Sequence, residues 1–241
     1  MPNSIAPKLL AEFIGTFALV FIGAGAASIV GGAAGGGITA VAFAHGFTLM
    51  IFICAYGSVS GGHFNPAVTV GVLAAGAITA AEAAGYIVSQ IAGGVAGALL
   101  LRIVLGGVAT GLGTPELAHG LALGGTTITI TPAIGFVVEA VLAFFLVTVV
   151  LSTAVAGRAA HLAPVAIGLT LVFNILMGGA LTGAAFNPAR ALGPMIVTGN
   201  LGDAWLYVLA PIVGAIIAAV LHTGLSVLTH ERPAAVAASA E

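Results

Sequence analysis

Gly61-Gly62-His63-Phe64-Asn65-Pro66-Ala67-Val68 and Gly183-Ala184-Ala185-Phe186-Asn187-Pro188-Ala189-Arg190 carry one pattern, small-small-x-Phe-Asn-Pro-Ala, twice in the chain. The two Asn residues lie 122 positions apart, about half of the 241-residue sequence. Proline suits the first position of a helix, where its missing N–H has no partner to lose. Asn immediately before it is a favoured N-cap. Each stretch therefore reads as a loop running into a helix N-terminus, with an Asn amide held at that terminus.

The solvent of this chain is lipid. Hydrophobic residues make up 60% of it and charged residues 5%, against about 25% charged in a soluble domain. Net charge is −2 with five Lys plus Arg, so no basic footprint for nucleic acid exists. The 36 glycines suit membrane helices, which pack closely through small residues. Six apolar runs are long enough to cross a bilayer: about 9–30, 38–59, 83–105, 133–155, 163–181 and 204–228. The first follows Lys8 and is too long for a signal-peptide core, so it reads as a membrane helix. Gly31–Gly37 separates the first two runs. Residues 106–131 form a polar-leaning connection with Pro115, Glu116 and His119, and the tail from Thr229 reads as frayed.

Residues 66–77 and 188–197 are apolar but too short to span, and each follows an Asn-Pro-Ala. Such pieces are commonly re-entrant, and irregular backbone at membrane depth survives only against protein or a watery cavity. A repeat is also visible. Glu12 stands 53 residues before Asn65, and Glu139 stands 48 before Asn187. Three spans plus a half-span per half invert the second half relative to the first, which places a site at the midplane between them. The expected fold is an all-α membrane protein with six transmembrane helices, two re-entrant half-helices and an inverted 3+3 repeat. It forms a single domain over residues 1–241, with repeats at about 9–105 and 133–228. Lys8, Arg158 and Arg232 fall on one side and Arg102 near the other, so the positive-inside rule puts both termini in the cytoplasm.

Two helix N-termini facing one point make that point electropositive. The amides of Asn65 and Asn187 add N–H donors there. Carbonyls upstream, from Gly61, Gly62, His63 and Phe64 and from Gly183 to Phe186, are free acceptors. A neutral molecule that accepts at the centre and donates along the wall fits this line, whereas a hydrated ion loses its shell without replacement.

These residues resemble the aquaporin (major intrinsic protein) family: paired Asn-Pro-Ala motifs, Arg190 after the second, a Glu in each half and six inverted spans, over about residues 9–228. The resemblance implies a passive channel for water and small neutral solutes, homotetrameric, in a cell membrane. It implies no cofactor or metal, and no nucleic-acid partner. By the family's spacing the narrow filter is His45, Ile175, Ala184 and Arg190. This set departs from the Phe, His, small residue and Arg of many water-selective bacterial members. It resembles plant tonoplast intrinsic proteins, some of which pass ammonia, urea or hydrogen peroxide. His119-Gly120-Leu121-Ala122 resembles a tonoplast-type segment whose His joins the filter. Ala191 stands where the glycerol branch carries Asp, and Tyr207-Val208 stands where the water branch carries an aromatic pair. The family role of Glu12 and Glu139 is to hold the loops.

Other readings remain at this point. A glycerol-type facilitator is the alternative, and an ion-coupled secondary transporter a further one. A transporter needs a coupling-ion site, and no acidic residue falls near either motif. No enzyme motif appears: no nucleophile set, phosphate loop or metal spacing. Arg190 in an apolar region points to function. The His63 side chain reads equally as packing or pore lining. His45 titrates near neutrality as a free side chain, so pH sensitivity is an expectation. Gly93, Gly94 and Gly97 read as helix contacts, Cys54 as packing, and Arg158 with His161 as a solvated loop.

Overall fold

The computed structural model describes residues 4–31 and 37–228. Arg232, the tail from Thr229 and residues 32–36 of the glycine-rich separator lie outside them. The chain runs α1 (Ala6–Val30), α2 (Gly37–Ser60), α3 (Pro66–Ala74), α4 (Ala80–Val104), β1 (Leu121–Leu123), β2 (Thr126–Ile128), α5 (Pro132–Val155), α6 (Ala163–Thr182), α7 (Pro188–Thr198) and α8 (Ala204–Leu228). Two stretches loosen to π-helical geometry, Leu19–Ala24 in α1 and Leu151–Val155 in α5. Among the described residues, six helices are long and apolar enough to cross a membrane. The protein is an all-α membrane protein with two half-helices, α3 and α7.

The packing is that of an inverted repeat. α1 lies along α4, and α5 along α8. α3 packs on α8 and α7 on α4, so each half-helix rests on the last span of the other repeat. α2 crosses α6, its counterpart in the other repeat. Glycines set how close these crossings come. A Cβ on Gly46 would lie 2.6 Å from the Gly168 carbonyl oxygen, and one on Gly168 2.7 Å from that of Gly46. A Cβ on Gly193 would lie 2.5 Å from the Gly94 carbonyl oxygen. Gly93 and Gly97 face α1, where a Cβ would strike the carbonyls of Phe13 and Phe17. All three α4 glycines thus serve contacts within one subunit.

The outer surface is apolar, and the polar side chains of the spans lie buried within an otherwise apolar core. Ile29, Val88 and Ile103 are 70%, 69% and 75% exposed, while Glu12, Gln90, Glu139, Asn174 and Thr182 are fully buried. That is the arrangement hydrocarbon surroundings require, since polar groups must find partners within the protein.

Three boundaries differ from the hydropathy reading. α4 starts at Ala80 because Thr79 and Glu82 form a capping box: the Thr79 hydroxyl accepts from Glu82 N, and Glu82 reaches back to Thr79 N. Lys8 pairs with the same carboxylate at 2.8 Å, tying the first turns of α1 and α4. α3 stops at Ala74 because Gly76, at φ +76, turns the chain so that its N–H and that of Ala77 return to the carbonyls of Leu73 and Val72. The 106–131 connection holds an antiparallel hairpin, with Leu121 opposite Ile128 and Leu123 opposite Thr126. Its turn is Gly124-Gly125, both at positive φ, which suits a tight two-residue hairpin.

Candidate functional site

α3 and α7 begin at the same place, in the middle of the bundle. Asn65 and Asn187 both take extended backbone and cap the helices. Asn65 Oδ1 accepts from Ala67 N at 2.8 Å. Asn187 Oδ1 accepts from Ala189 N at 3.0 Å and Arg190 N at 3.1 Å. The amide nitrogens cross over: Asn65 Nδ2 donates to the Phe186 carbonyl at 3.1 Å, and Asn187 Nδ2 to the Phe64 carbonyl at 2.9 Å. An amide nitrogen carries two N–H groups. One from each Asn therefore locks the two loops together, and the other is left for the cavity that both residues line.

The loops are held in a strained shape. Phe64, Ala184 and Phe186 adopt φ of 47°, 42° and 31°, at roughly 1–2 kcal/mol each for a residue bearing a Cβ. A buried carboxylate fixes each loop. Glu12 accepts from Ser60 Oγ (2.6 Å), His63 N (3.0 Å), Phe64 N (2.7 Å) and Gln90 Nε2 (2.7 Å). Glu139 accepts from Thr182 Oγ1 (2.6 Å), Ala185 N (3.1 Å) and Phe186 N (2.5 Å). Each Glu faces donors only, which is the geometry of a brace. With their N–H groups drawn away from the cavity, the loops turn their other face to it. Among the described residues no protein donor reaches the carbonyls of Gly61, Gly62, His63, Gly183, Ala184 or Ala185. The Phe64 carbonyl, grouped with them on sequence, is taken by Asn187 instead. Gly183 lines a separate vestibule rather than the main cavity.

The main cavity runs past both Asn residues. One wall is apolar, with Leu49, Leu146, Val150, Ile167 and Leu171, and the other is formed by the two loops. It meets a wider vestibule at Ile175 and Arg190, the residues common to both. His45, Ile175, Ala184 and Arg190 all line the main cavity, with Ile175 and Arg190 at the junction and His45 bonded to Arg190. Arg190 is 4% exposed. Its Nε donates to His45 Nε2 at 3.3 Å and its Nη1 to the Gly113 carbonyl at 2.9 Å. No carboxylate pairs with it among the described residues. The imidazole tautomer follows from its partners. Nδ1 sits 2.9 Å from the Val41 carbonyl, which only accepts, so Nδ1 carries the proton and Nε2 receives from Arg190.

The repeat offset carries this junction to the opposite end of the cavity. Counting back 122 residues from Ala184, Arg190 and Ile167 gives Gly62, Val68 and His45. Gly62, Val68 and Ile167 line the cavity together. One end is therefore charged and its symmetry mate is apolar.

His119 is not brought to the junction. It is exposed and lines neither cavity. Its neighbour Ala118 is pinned by bonds to the Leu181 carbonyl and from Ile130 N, and the hairpin leads away. The loop residue that does reach Arg190 is Gly113. The His63 side chain combines both sequence readings: Nδ1 lies 3.1 Å from Thr69 Oγ1, and the residue lines the cavity. Cys54 is exposed on the outside of α2.

Sequence reasoning missed a further set. Ser60 and Thr182 link Glu12 and Glu139 to the loops, also accepting from Gly62 N and Ala184 N. Tyr86 OH and Tyr207 OH donate to the Ser60 and Thr182 carbonyls at 2.8 and 2.6 Å. The signal was the repeat itself. Ser60 and Thr182 each stand five residues before their Asn, and Tyr86 and Tyr207 stand 21 and 20 after.

A family model described as "Major intrinsic protein" matches residues 3–222. The chain is 39% identical to "Aquaporin TIP4-4" of Zea mays, over 90% of this chain and 85% of that one. It is 40% identical to "Glycerol uptake facilitator protein-like 6" of Lactiplantibacillus plantarum, over 88% of this chain and 94% of that one. In three dimensions it resembles the X-ray structure of the aquaglyceroporin from Plasmodium falciparum. The TM-score is 0.80 over 95% of this chain and all of the other, at 21% identity, a likeness of fold.

Proposed function

The chain belongs to the major intrinsic protein family, and from that premise we propose that it is a passive channel for water, passing ammonia and other small neutral solutes and excluding ions and protons. The observation that carries the reading is the pair of crossed Asn amides, each with one N–H spare, in a cavity bounded at one end by a buried guanidinium that no carboxylate pairs among the described residues. Pore width, lining donors and acceptors, and positive half-helix ends are the recognised basis of aquaporin-type selectivity. A water molecule gives its oxygen lone pairs to Asn65 and Asn187 and its protons to the free loop carbonyls on either side. It cannot donate toward the centre, so a hydrogen-bonded chain reverses direction there and relays no proton. A cation meets two helix N-termini and Arg190 in a low-dielectric path, where repulsion is strong.

Asn65, Pro66, Ala67, Asn187, Pro188 and Ala189 make the centre, and His45, Ile175, Ala184 and Arg190 the filter. We read Glu12 and Glu139 as loop braces because every partner is a donor and all are loop or loop-supporting groups. The channel is not an enzyme on this reading. It is a homotetramer with one pore per chain, as the family resemblance implies. The plasma membrane is its location, with cytoplasmic termini, supported by Lys8 and Arg158 on one side and Arg102 on the other.

Glycerol passage is the second reading, favoured by the name of the Lactiplantibacillus relative. Reconstitution separates the two. Proteoliposomes shrinking in impermeant solute faster than protein-free vesicles support the water channel, and re-swelling in glycerol supports the facilitator. No water flux above the protein-free rate defeats the main reading.

A further inference from the structure

We infer that the π-helical stretch of α1 is the seat of the filter, with Gly23 and Ala24 as positioning residues that decide what the filter passes; this rests on the channel reading above. α1 departs from regular geometry over Leu19–Ala24. Such bulges inside α-helices concentrate at functional sites. Here the last two residues of the bulge back the two polar members of the filter. A Cβ on Gly23 would lie 2.5 Å from His45 Cδ2, 2.6 Å from Nε2 and 2.7 Å from Cγ. The imidazole therefore lies against the bare Gly23 backbone, in space that any side chain would occupy. Ala24 supports the other arm. A Cβ on Gly113 would lie 2.8 Å from Ala24 Cα and 2.9 Å from its carbonyl carbon. Gly113, at φ +67, can make that approach, and its carbonyl holds Arg190.

Gly23 and Ala24 do not line the cavity or the vestibule. They act through His45 and Gly113. The imidazole is fixed on three sides: by Val41 of its own helix, by Gly23 behind it and by Arg190 beside it. Anything added at position 23 pushes the ring toward the cavity or breaks its bond with Arg190. The filter's width and the direction of its donors are thus set from α1, outside the residues that touch the permeant.

The test uses Gly23→Ala, the double variant Gly23→Ala with His45→Ala, and Gly25→Ala as a control. A Cβ on Gly25 meets only the end of Leu101, at 3.0 Å. Water and ammonia permeabilities are measured in proteoliposomes, with melting temperature in detergent for each variant. Overpacking of this kind raises the barrier enough for Gly23→Ala to lose about tenfold in water permeability. It also changes the ammonia-to-water ratio. In the His45→Ala background Gly23→Ala changes neither, because the added methyl fills the space of the lost ring. Gly25→Ala keeps the wild-type ratio. The inference is overturned if Gly23→Ala keeps the wild-type ratio, or if its effect persists without His45. It is also overturned if Gly25→Ala shifts the ratio equally. If wild-type protein conducts no water, the channel reading itself fails, and that outcome is separate from the others.

Discussion

Replacing Glu139 by Gln changes almost no volume and tests whether a carboxylate shapes the second loop. In the wild type, Thr182 Oγ1 and Ala185 N donate to Oε1, and Phe186 N donates to Oε2. The amide offers one oxygen where the carboxylate offered two. Its NH2 must face either the Ala185 N–H or the Phe186 N–H, so one buried backbone donor is orphaned in either rotamer. An orphaned donor costs about 1–3 kcal/mol, and each charge-assisted bond made neutral loses about 1 kcal/mol more. With the NH2 facing Phe186 N, the bonds from Thr182 and Ala185 survive, so the change totals about 3–5 kcal/mol. Phe186 has most to gain by relaxing, since its φ of 31° is strained. When it relaxes, its carbonyl leaves Asn65 Nδ2, and the damage reaches the centre of the cavity from the other repeat. Stopped-flow light scattering on proteoliposomes reads the result. Water permeability falls by about tenfold or more, the factor that 1.4 kcal/mol supplies, and the melting temperature in detergent drops. Glu139→Gln protein with the wild-type melting temperature and permeability would refute the brace.

Three further outcomes follow from the same geometry. His45→Phe, which removes the acceptor of the Arg190 Nε bond, lowers ammonia flux more than water flux in proteoliposomes; equal losses sink the filter assignment. The imidazole already satisfies Val41 and Arg190 as one neutral tautomer, so water permeability stays flat between about pH 5 and pH 8, contrary to the sensitivity a free imidazole suggests; a clear change of rate across that interval contradicts the tautomer. Gly46→Val drives a side chain into the Gly168 carbonyl where α2 crosses α6. At roughly 1–3 kcal/mol or more for an overpacked contact, it should lower the melting temperature and the yield of folded protein; an unchanged melting curve would mean the crossing has slack.

How much of this was legible in the sequence depended on how local each cause is. An N-cap is decided within four residues, so Asn65-Pro66 and Asn187-Pro188 announced α3 and α7 correctly. The filter assignment came from family spacing, and His45, Ile175, Ala184 and Arg190 all line the main cavity. The left-handed backbone of Phe64 and Phe186 was not legible, because Phe has no local preference for positive φ. It persists only because Glu12 and Glu139, about fifty residues upstream, hold the N–H groups. Ser60, Thr182, Tyr86 and Tyr207 read as ordinary residues in apolar helices until the repeat offset pairs them. His119 was misplaced for the opposite reason. A short motif suggested a role, but the Gly124-Gly125 hairpin and the pinning of Ala118 decide where that loop goes. Gly23 carries no sequence signal at all among so many glycines, since its meaning lies in the ring packed against it.

The proposed mechanism lets neutral water through and stops charge by two crossed Asn amides and a buried guanidinium that no carboxylate pairs among the described residues. It is tested most directly by measuring osmotic water flux and proton or cation leak in the same proteoliposomes of the wild-type protein. Water flux well above protein-free vesicles, with a leak no greater than theirs, is the result predicted. Water flux at the protein-free rate, or a proton or cation leak that rises with the amount of protein, would contradict it.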